Sequence, residues 1–315
     1  MAAIDDVRPR RRGWSRYRGR TFYLFTSPWI LGFCLLTAAP LVYAFAVSLT
    51  NFDGASSRWR WVGFRNYVEL LHDADAWASI LRTLMYTAIA VPLSVAGGLG
   101  LAVLLNQRLK AVGLFRTIFF LPSVVPVVAM AIMWKLVFNR DAGILNAIIG
   151  KLGVSPITWL VDPTAFYALI ILTLWGLGGG MVIMLAALQG VPQELEEAAR
   201  VDGASRWHVF RHVTVPMVSP VIFFQVVTGI ITSLQVFIQP LLLAQSGSVG
   251  QVGIVPQSTH LYMVQVYQQF FLSNRFGYGS AMLWVFFVII LLITLLIQRS
   301  SRLWVYYDVD ADTER

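Results

Sequence analysis

Residues 190–220 of the 315-residue chain read GVPQELEEAARVDGASRWHVFRHVTVPMVSP, a polar segment set between two long charge-free stretches. These stretches, 163–193 and 213–274, contain no Asp, Glu, Lys or Arg. Further stretches that lack these residues are 21–50, 83–107, 117–134 and 276–298. About 20 apolar residues suffice for a helix to cross the hydrocarbon core of a bilayer. The pattern predicts membrane-spanning helices joined by polar loops.

The composition supports this interpretation. Hydrophobic residues make up 57% of the chain, and charged residues make up only 13%. Because about a quarter of the residues in a soluble domain are charged, the composition excludes a water-soluble protein. The single cysteine, Cys34, excludes a disulfide framework and a cysteine-based metal site. The sequence therefore predicts an all-α integral membrane protein.

Six spans account for the charge-free stretches. The predicted spans are 22–49, 80–106, 114–138, 164–189, 217–243 and 277–298. The third span extends past Lys135, whose side chain we expect to snorkel outward. The longest stretch holds one span, because the residues after 244 turn to Gln, Ser and Gly. Apolar residues at helical spacing within 259–272 predict an amphipathic helix that lies on the surface.

Positive residues predict the orientation, because cytoplasmic loops are enriched in Lys and Arg. The N-terminal arm, 1–21, contains seven arginines, and the tail, 299–315, contains three. The segments after the second and fourth spans also contain three positive residues each. Both termini are therefore predicted to be cytoplasmic, with external segments at 50–79, 139–163 and 244–276. We interpret the arm as a topology determinant rather than a nucleic-acid-binding segment.

The sequence lacks motifs for catalysis and metal binding. The pair Gly150-Lys151 is followed by Leu152 and has no upstream glycine at the spacing of a phosphate-binding loop. His208 and His212 are four residues apart, but no third ligand of the right kind is near them. The carboxylates cluster outside the predicted spans, which excludes an embedded proton-relay pair. We expect no catalytic residue, no metal site and no bound cofactor in this chain.

The polar segment itself predicts two short helices joined by a sharp turn. Pro192 fits the first position of a helix whose early glutamates are favoured by the helix dipole. Gly203 is expected to stop this helix in a left-handed conformation. Ser205 is expected to cap a second helix, which Pro216 ends before the fifth span. Residues 190–216 are therefore expected to form a compact unit, called here the helical loop.

The helical loop carries a family signature. Glu-Ala-Ala at 197–199, Gly203 after three more residues, and Val-x-Val-Pro at 213–216 are similar to the EAA loop of permease subunits in binding-protein-dependent ABC importers. Further segments resemble the carbohydrate-uptake subfamily, namely 62–71, 115–146 and 276–285. The resemblance covers 28–298. It departs at 238–240 and 245–248, where that subfamily often has an acidic residue and a GGP turn.

This resemblance implies a type I ABC importer permease fold and a multi-pass subunit in the bacterial cytoplasmic membrane. The implied partners are a second permease in a heterodimer, an ATPase dimer that holds ATP and Mg, and an extracytoplasmic solute-binding protein. The implied cargo is a sugar or sugar-like solute, such as a disaccharide, an oligosaccharide or a glycerol-phosphate-type compound. The helical loop is expected to dock on the ATPase through Glu194, Glu197, Ala198, Ala199, Asp202, Gly203 and Arg206.

A sugar path through the spans requires polar groups for hydroxyls and aromatic faces for C–H surfaces. The candidate residues for this path are Trp134, Trp175, Thr232, Gln235, Gln239, Tyr278 and Ser280. Glutamine is costly in contact with lipid, so these amides are expected to face inward. Hydrogen bonding between helices is an alternative role for them. The absence of charge within the spans favours a neutral ligand.

A stand-alone polar-solute channel or secondary carrier is the alternative function. A carrier typically has an intramembrane carboxylate for ion coupling and an internal repeat, and neither occurs in the sequence. Gly98 with Ala102, and the GLGGG run at 176–180, fit either close helix packing or a hinge. Pro122 and Pro126 fit a kink in the third span.

Overall fold

The computed structural model describes residues 19–56, 59–107, 110–244 and 254–306. Most of the predicted basic arm, the 245–248 departure from the subfamily pattern and the end of the tail lie outside these ranges. Within them the secondary structure is helical, apart from an isolated antiparallel bridge between Thr50 and Trp61. The all-α prediction is confirmed for this part of the chain.

The α-helices of the described ranges are numbered in chain order. The first seven are α1 (Gly19–Phe33), α2 (Ala39–Ser48), α3 (Arg65–His72), α4 (Ala74–Leu105), α5 (Val112–Val124), α6 (Val127–Val137) and α7 (Ile144–Gly150). The next eight are α8 (Ala165–Trp175), α9 (Gly178–Gln189), α10 (Gln193–Val201), α11 (Arg206–Val209), α12 (Val215–Leu234), α13 (Ile238–Leu243), α14 (Tyr262–Phe271) and α15 (Phe276–Ser300). Turns of π-helix at Cys34–Ala38 and Phe210–Thr214 join α1 to α2 and α11 to α12 without a break.

Four helices in the described ranges are long and apolar enough to cross a membrane, and two bent pairs raise the number to six if each pair is one span. The four are Phe22–Ser48, Ala74–Leu105, Arg206–Leu234 and Phe276–Leu303. α4 begins before the predicted second span because Asp73 caps it. One carboxylate oxygen of Asp73 accepts hydrogen bonds from the backbone N–H groups of Asp75 and Ala76, both at 3.0 Å.

The third predicted span, 114–138, is not one straight helix. α5 and α6 meet at an angle of 102°, whereas α8 and α9 meet at 44°. Val125 and Pro126 have extended backbone angles at the sharper break. Proline has no N–H to donate and disfavours a helical conformation in the residue before it. α6 therefore leaves the line of α5 and packs along α13.

The first helix of the fifth predicted span, 217–243, does not reach the end of that span. α12 stops at Leu234, and α13 is a separate short helix. In a continuous helix the ring of Pro240 would clash with the carbonyl group four residues earlier, so the chain breaks before it. Lys135, expected to snorkel outward, donates a hydrogen bond from its Nζ to the carbonyl oxygen of Ala244, the first residue of the predicted external segment, at 2.6 Å. This bond ties α6 to the end of α13.

The first half of the predicted surface helix is buried instead. α14 packs against α4 and α15, and Tyr262, Val264, Gln265 and Val266 are all buried. The Tyr262 hydroxyl donates a hydrogen bond to the Met282 carbonyl oxygen on α15 at 3.0 Å. The first half of α14 therefore packs inside the protein, whereas Phe271 at its end is 60% exposed.

α4 is the central helix of the fold, and α8, α9, α12 and α14 pack against it. Gly98 lies against α9, where an added β-carbon would stand 3.5 Å from the Met181 backbone nitrogen. Gly178 lies against α5, where an added β-carbon would overlap the Phe119 carbonyl group. Both glycines therefore allow close helix packing, which is one of the two roles predicted for the small residues.

Candidate functional site

The helical loop begins with α10. Pro192 is the N-cap residue of this helix, one position before the predicted place. Glu194 and Glu196 lie in the first turn, where the partial positive charge of the helix N-terminus favours a carboxylate. Glu194 and Glu197 are exposed, whereas Glu196 is half-buried. The three carboxylates therefore lie in different surroundings.

α10 ends at a left-handed glycine, as the sequence predicts. Gly203 has a φ of +87°. The Ala204 N–H donates to the Ala199 carbonyl oxygen, and the Gly203 N–H donates to the Arg200 carbonyl oxygen, both at 3.0 Å. These two bonds form a Schellman motif. Apart from its two chain neighbours, no described residue has an atom within 4 Å of the place that a β-carbon on Gly203 would take, so conformation rather than space favours glycine here.

The second helix of the loop starts at Ser205. Its hydroxyl oxygen accepts a hydrogen bond from the His208 backbone N–H at 3.3 Å, which confirms the predicted cap. The prediction that Pro216 ends this helix is wrong. The Val215 N–H bonds to the carbonyl oxygen five residues back, in the π turn that precedes the proline. One continuous helix therefore runs over Arg206–Leu234.

Glu196 joins the two halves of the helical loop. Its carboxylate accepts a hydrogen bond from the Thr214 hydroxyl at 2.9 Å and forms an ion pair with Arg200 at 3.4 Å. The spacing of Glu196 and Arg200 is visible in the sequence as one turn of helix. The contact with Thr214 spans 18 positions, and sequence reasoning missed it because no local pattern signals it.

The residues predicted to contact an ATPase lie on the outside of the helical loop. Those that are exposed are Glu194, Glu197, Ala198, Asp202, Gly203 and Arg206, and Ala199 is half-buried. Three apolar side chains beside them are also exposed, Leu195 at 44%, Val201 at 87% and Trp207 at 66%. The loop therefore presents apolar and small residues together with charged ones.

A cavity of about 480 Å³ lies between α4, α8, α9 and α12, with Met130 of α6 and Gln239 of α13 also in its wall. We call it the central cavity. Its polar wall residues are Tyr86, Ser94, Thr173, Gln225, Thr228, Thr232, Ser233 and Gln239. None of the described residues in this wall is charged. A concave, mainly apolar site with a few polar groups suits a small neutral ligand.

The polar groups of the central cavity are held by the helix backbones. The Thr228 hydroxyl donates to the Phe224 carbonyl oxygen at 2.8 Å, and the Thr232 hydroxyl donates to the carbonyl oxygen of Thr228 at 2.9 Å. Each hydroxyl oxygen keeps lone pairs for a ligand donor. Gln225 Nε2 donates to the Gly180 carbonyl oxygen at 2.7 Å and so links α12 to α9. The wall therefore offers acceptors on a fixed frame.

The structure brings only part of the predicted sugar path to this cavity. Thr232 and Gln239 lie in its wall. Gln235 is the C-cap residue of α12 and is not a wall residue. Trp134 and Trp175 are not wall residues either, and they pack edge to face with ring centroids 6.0 Å apart.

The two candidates from the sixth span lie elsewhere. Tyr278 and Ser280 are buried in α15. The Tyr278 hydroxyl donates to Asp73 Oδ2 at 2.5 Å, and the Arg275 guanidinium lies 4.3 Å from the centre of the Tyr278 ring. These contacts anchor the start of α15 to the residue that caps α4. The sequence-based path omits Gln225, although an amide within an apolar helix was the signal that could have found it.

Solved structures show the fold. A bacterial ABC transporter involved in the import of the acidic polysaccharide alginate superposes with a TM-score of 0.77 at 22% identity, over 90% of this chain and 96% of that one. This likeness confirms the predicted type I ABC importer permease fold.

Sequence comparison shows the family. The chain is 37% identical to the probable ABC transporter permease protein YesP of Bacillus subtilis, over 91% of this chain and 92% of that protein. It is 32% identical to the trehalose/maltose transport system permease protein MalF of Thermococcus litoralis, over 89% of this chain and 93% of that protein. Residues 94–304 match a family model. The chain is thus a multi-pass membrane protein that belongs to the family of binding-protein-dependent transport system inner membrane components.

Proposed function

We propose that this chain is the permease subunit of an ATP-driven importer that moves a sugar or sugar-like solute into the cytoplasm. The names of its relatives support the substrate class, since they include a trehalose/maltose permease and the arabinooligosaccharides permease AraP of Bacillus subtilis, which is 31% identical over 89% of this chain. The uncharged described wall of the central cavity favours a neutral disaccharide or oligosaccharide over a glycerol-phosphate-type solute.

The observation that carries this proposal is the continuous helix Arg206–Leu234. Its first residues, 206–216, belong to the helical loop, and Gln225, Thr228 and Thr232 further along it lie in the wall of the central cavity. At 1.5 Å per residue, such a helix is about 40 Å long. In this proposal a movement of the loop is passed to the cavity wall, because both belong to one continuous helix.

The helical loop is the proposed docking element for the ATPase. Leu195, Val201 and Trp207 give it exposed apolar surface, and Glu194 and Arg206 lie beside them. Apolar side chains with a polar rim are typical of protein interfaces. ATP and Mg bind to the partner ATPase dimer in this proposal. Closure of that dimer favours one position of the loop over another and so shifts the permease between inward- and outward-facing states.

The remaining subunits follow from the same proposal. A second permease completes the path as a heterodimer, and a solute-binding protein delivers the sugar. One of the similar solved structures contains an alginate transporter in complex with a pentasaccharide-bound periplasmic protein. Six spans with both termini in the cytoplasm are proposed, because the positive residues cluster on that side. This arrangement corresponds to the bacterial cytoplasmic membrane.

Uptake by a strain that lacks this chain tests the proposal. Trehalose, maltose and arabinotriose are supplied as labelled sugars, and an anionic trisaccharide of galacturonate serves as the control for charge. The intact chain is expected to restore uptake of at least one neutral sugar but not of the control. Gln225→Leu and Thr232→Val are expected to lower this uptake at an unchanged membrane level. Uptake that persists without the ATPase would indicate a stand-alone carrier and contradict the proposal.

A further inference from the structure

A second cavity, of about 800 Å³, lies at the end of the molecule opposite the helical loop. Ser233 at the far end of α12 donates a hydrogen bond to the Thr87 hydroxyl in the first half of α4, at 3.0 Å. The start of α4 therefore lies where α12 ends. This second cavity, called here the outer pocket, is bounded by that start, by residues 160–162 and 254–260, and by α14. Among the described residues, none lies in the walls of both cavities.

Hydrogen bonds between segments distant in sequence hold the walls of the outer pocket in place. The Asp162 carboxylate accepts bonds from the backbone N–H groups of Gln257 and Ser258, at 2.7 and 2.9 Å. Arg82 Nε donates to the His260 carbonyl oxygen at 3.0 Å. These bonds connect the two loops to each other and to α4. The pocket is therefore preformed, which lowers the entropic cost of binding a ligand.

Gln265 adds a recessed amide to the wall of the outer pocket. Its residue is only 8% exposed. A side-chain amide has both donor and acceptor atoms. A ligand hydroxyl that reaches it is therefore able to donate or to accept a hydrogen bond.

The other polar groups of the outer pocket also donate and accept hydrogen bonds. Gln257 and Gln268 add two amides, Asp75 adds an exposed carboxylate, and Arg82 adds a guanidinium. Burial lowers the pKa of His260 from its ordinary value. Its imidazole is therefore neutral at neutral pH and has one donor and one acceptor nitrogen. The hydroxyl groups of a ligand can pair with this wall, because each hydroxyl both donates and accepts hydrogen bonds.

Charge and shape favour an uncharged ligand with apolar faces. Asp75 and Asp162 outnumber Arg82 in the wall, so an anion is disfavoured there. Val255 and Pro256 place apolar surface beside the polar groups, which suits the C–H faces of a sugar ring. A volume of about 800 Å³ falls within the range of about 300–1,000 Å³ that is typical of small-molecule sites.

We infer that the outer pocket is a carbohydrate subsite that the solute occupies before it reaches the central cavity. This inference rests on the proposed function, because it assigns the same class of solute to both sites. The concave wall and the recessed amide of Gln265 favour a small sugar over a segment of a partner protein. A single hydroxyl group can reach that amide from within the pocket.

Protection of an introduced cysteine tests the subsite. Gln268→Cys is made in a Cys34→Ser background, and the chain is purified with its partner subunits but without the binding protein. Trehalose, maltose and arabinotriose are added in turn, and the rate of maleimide modification is measured. A sugar that cells take up through this transporter is expected to slow modification about tenfold when its concentration is about ten times its Kd. Leu152→Cys, at a position 77% exposed and outside the pocket, is the control and is expected to show no protection.

Gln265→Leu provides the matched variant, since it keeps the side-chain volume and removes the amide. It is expected to raise the sugar concentration for half-protection about fivefold, the effect of losing one net hydrogen bond. An unchanged value, or no protection by a sugar that is taken up, overturns the inference and leaves the proposed function intact. A parallel sample contains the sugar-free binding protein; protection of Gln268→Cys in that sample, but not by sugar alone, assigns the pocket to a protein contact and also overturns the inference. If no sugar of the three is taken up, the proposed function fails and the subsite fails with it.

Discussion

Gly203 has a backbone conformation that most residues adopt only at a cost. Its φ is +87° and the space around it is open, so strain rather than overlap penalises a side chain. Gly203→Val is expected to lower the free energy of unfolding by more than about 1 kcal/mol, and Gly203→Asn by less, because Asn tolerates left-handed backbone. Thermal unfolding of the purified complex measures both variants. Equal midpoints for the two variants would contradict this explanation.

Glu196 and Glu197 are neighbours with different expected roles. Glu196 bonds to Thr214 across the helical loop, whereas Glu197 is exposed. A double-mutant cycle of Glu196→Ala and Thr214→Val is expected to give a coupling of about 1 kcal/mol, measured by unfolding. Glu197→Ala is the control, expected to leave stability unchanged and to weaken co-purification of the ATPase. A coupling near zero would mean that the Glu196 bond does not hold the loop together.

Asp162 gives a prediction about pH. Burial raises the pKa of its carboxyl group, but the hydrogen bonds from Ser258 and Gln257 outweigh burial and hold the pKa below its ordinary value. A carboxylate of this kind stabilises the folded state above its unfolded pKa of about 3.9, and the effect is lost as the pH falls through the folded pKa. Asp162→Asn is therefore expected to be less stable than the intact chain at pH 7. The difference in unfolding midpoint between Asp162→Asn and the intact chain is expected to shrink below about pH 4. A difference that stays constant with pH would show that the negative charge of Asp162 does not cause it.

At the scale of elements, the bond from Lys135 to Ala244 ties α6 to α13. Lys135→Met keeps much of the side-chain length and removes the ammonium group. We expect faster amide hydrogen exchange over 238–244 in this variant, because α13 loses its anchor to α6. Lys151→Met, at an exposed position, is the control. Unchanged exchange over 238–244 would show that apolar packing alone holds α13.

The sequence predicts the ends of a helix well where residues near those ends determine them. The end of α10 is an example, because Gly203 and its two neighbouring bonds set it locally. The break at Pro126 was also visible as a kink, but its angle of 102° depends on the packing of α6 along α13. The burial of the first half of α14 also depends on packing between distant helices. The sequence does not predict it, because an apolar helix face has the same pattern whether membrane or protein covers it.

The candidate sites differ in the same way, since one is local in sequence and the other is assembled from distant segments. The helical loop is continuous in sequence, so the sequence predicts its residues as one unit. The polar groups of the central cavity come from several helices, and the sequence identifies only Thr232 and Gln239 among them. It also assigns Tyr278 to the path, yet the Tyr278 hydroxyl bonds to Asp73, 205 positions away. No local sequence pattern predicts a contact between residues so far apart in the chain.

At the scale of the whole molecule, the proposed orientation is open to a direct test. Leu152→Cys and Trp207→Cys each place one exposed cysteine in a Cys34→Ser background. In cells that lack the ATPase subunit, so that the helical loop is uncovered, an impermeant maleimide is expected to label only the first variant while the cells are intact and both variants once they are permeabilised. Labelling of Trp207→Cys in intact cells would reverse the orientation and exclude ATPase docking on the helical loop.

The continuous helix Arg206–Leu234 has a consequence for the evolution of the proposed transporter. The residues that line the central cavity and those that dock on the ATPase are encoded in one short stretch of the gene, since both lie on a helix of 29 residues. Mutations at the two ends of this helix are therefore inherited together, and recombination rarely separates them. Homologues with a different sugar preference are expected to carry compensating substitutions in the helical loop, because selection on sugar preference and selection on ATPase docking act on the same helix.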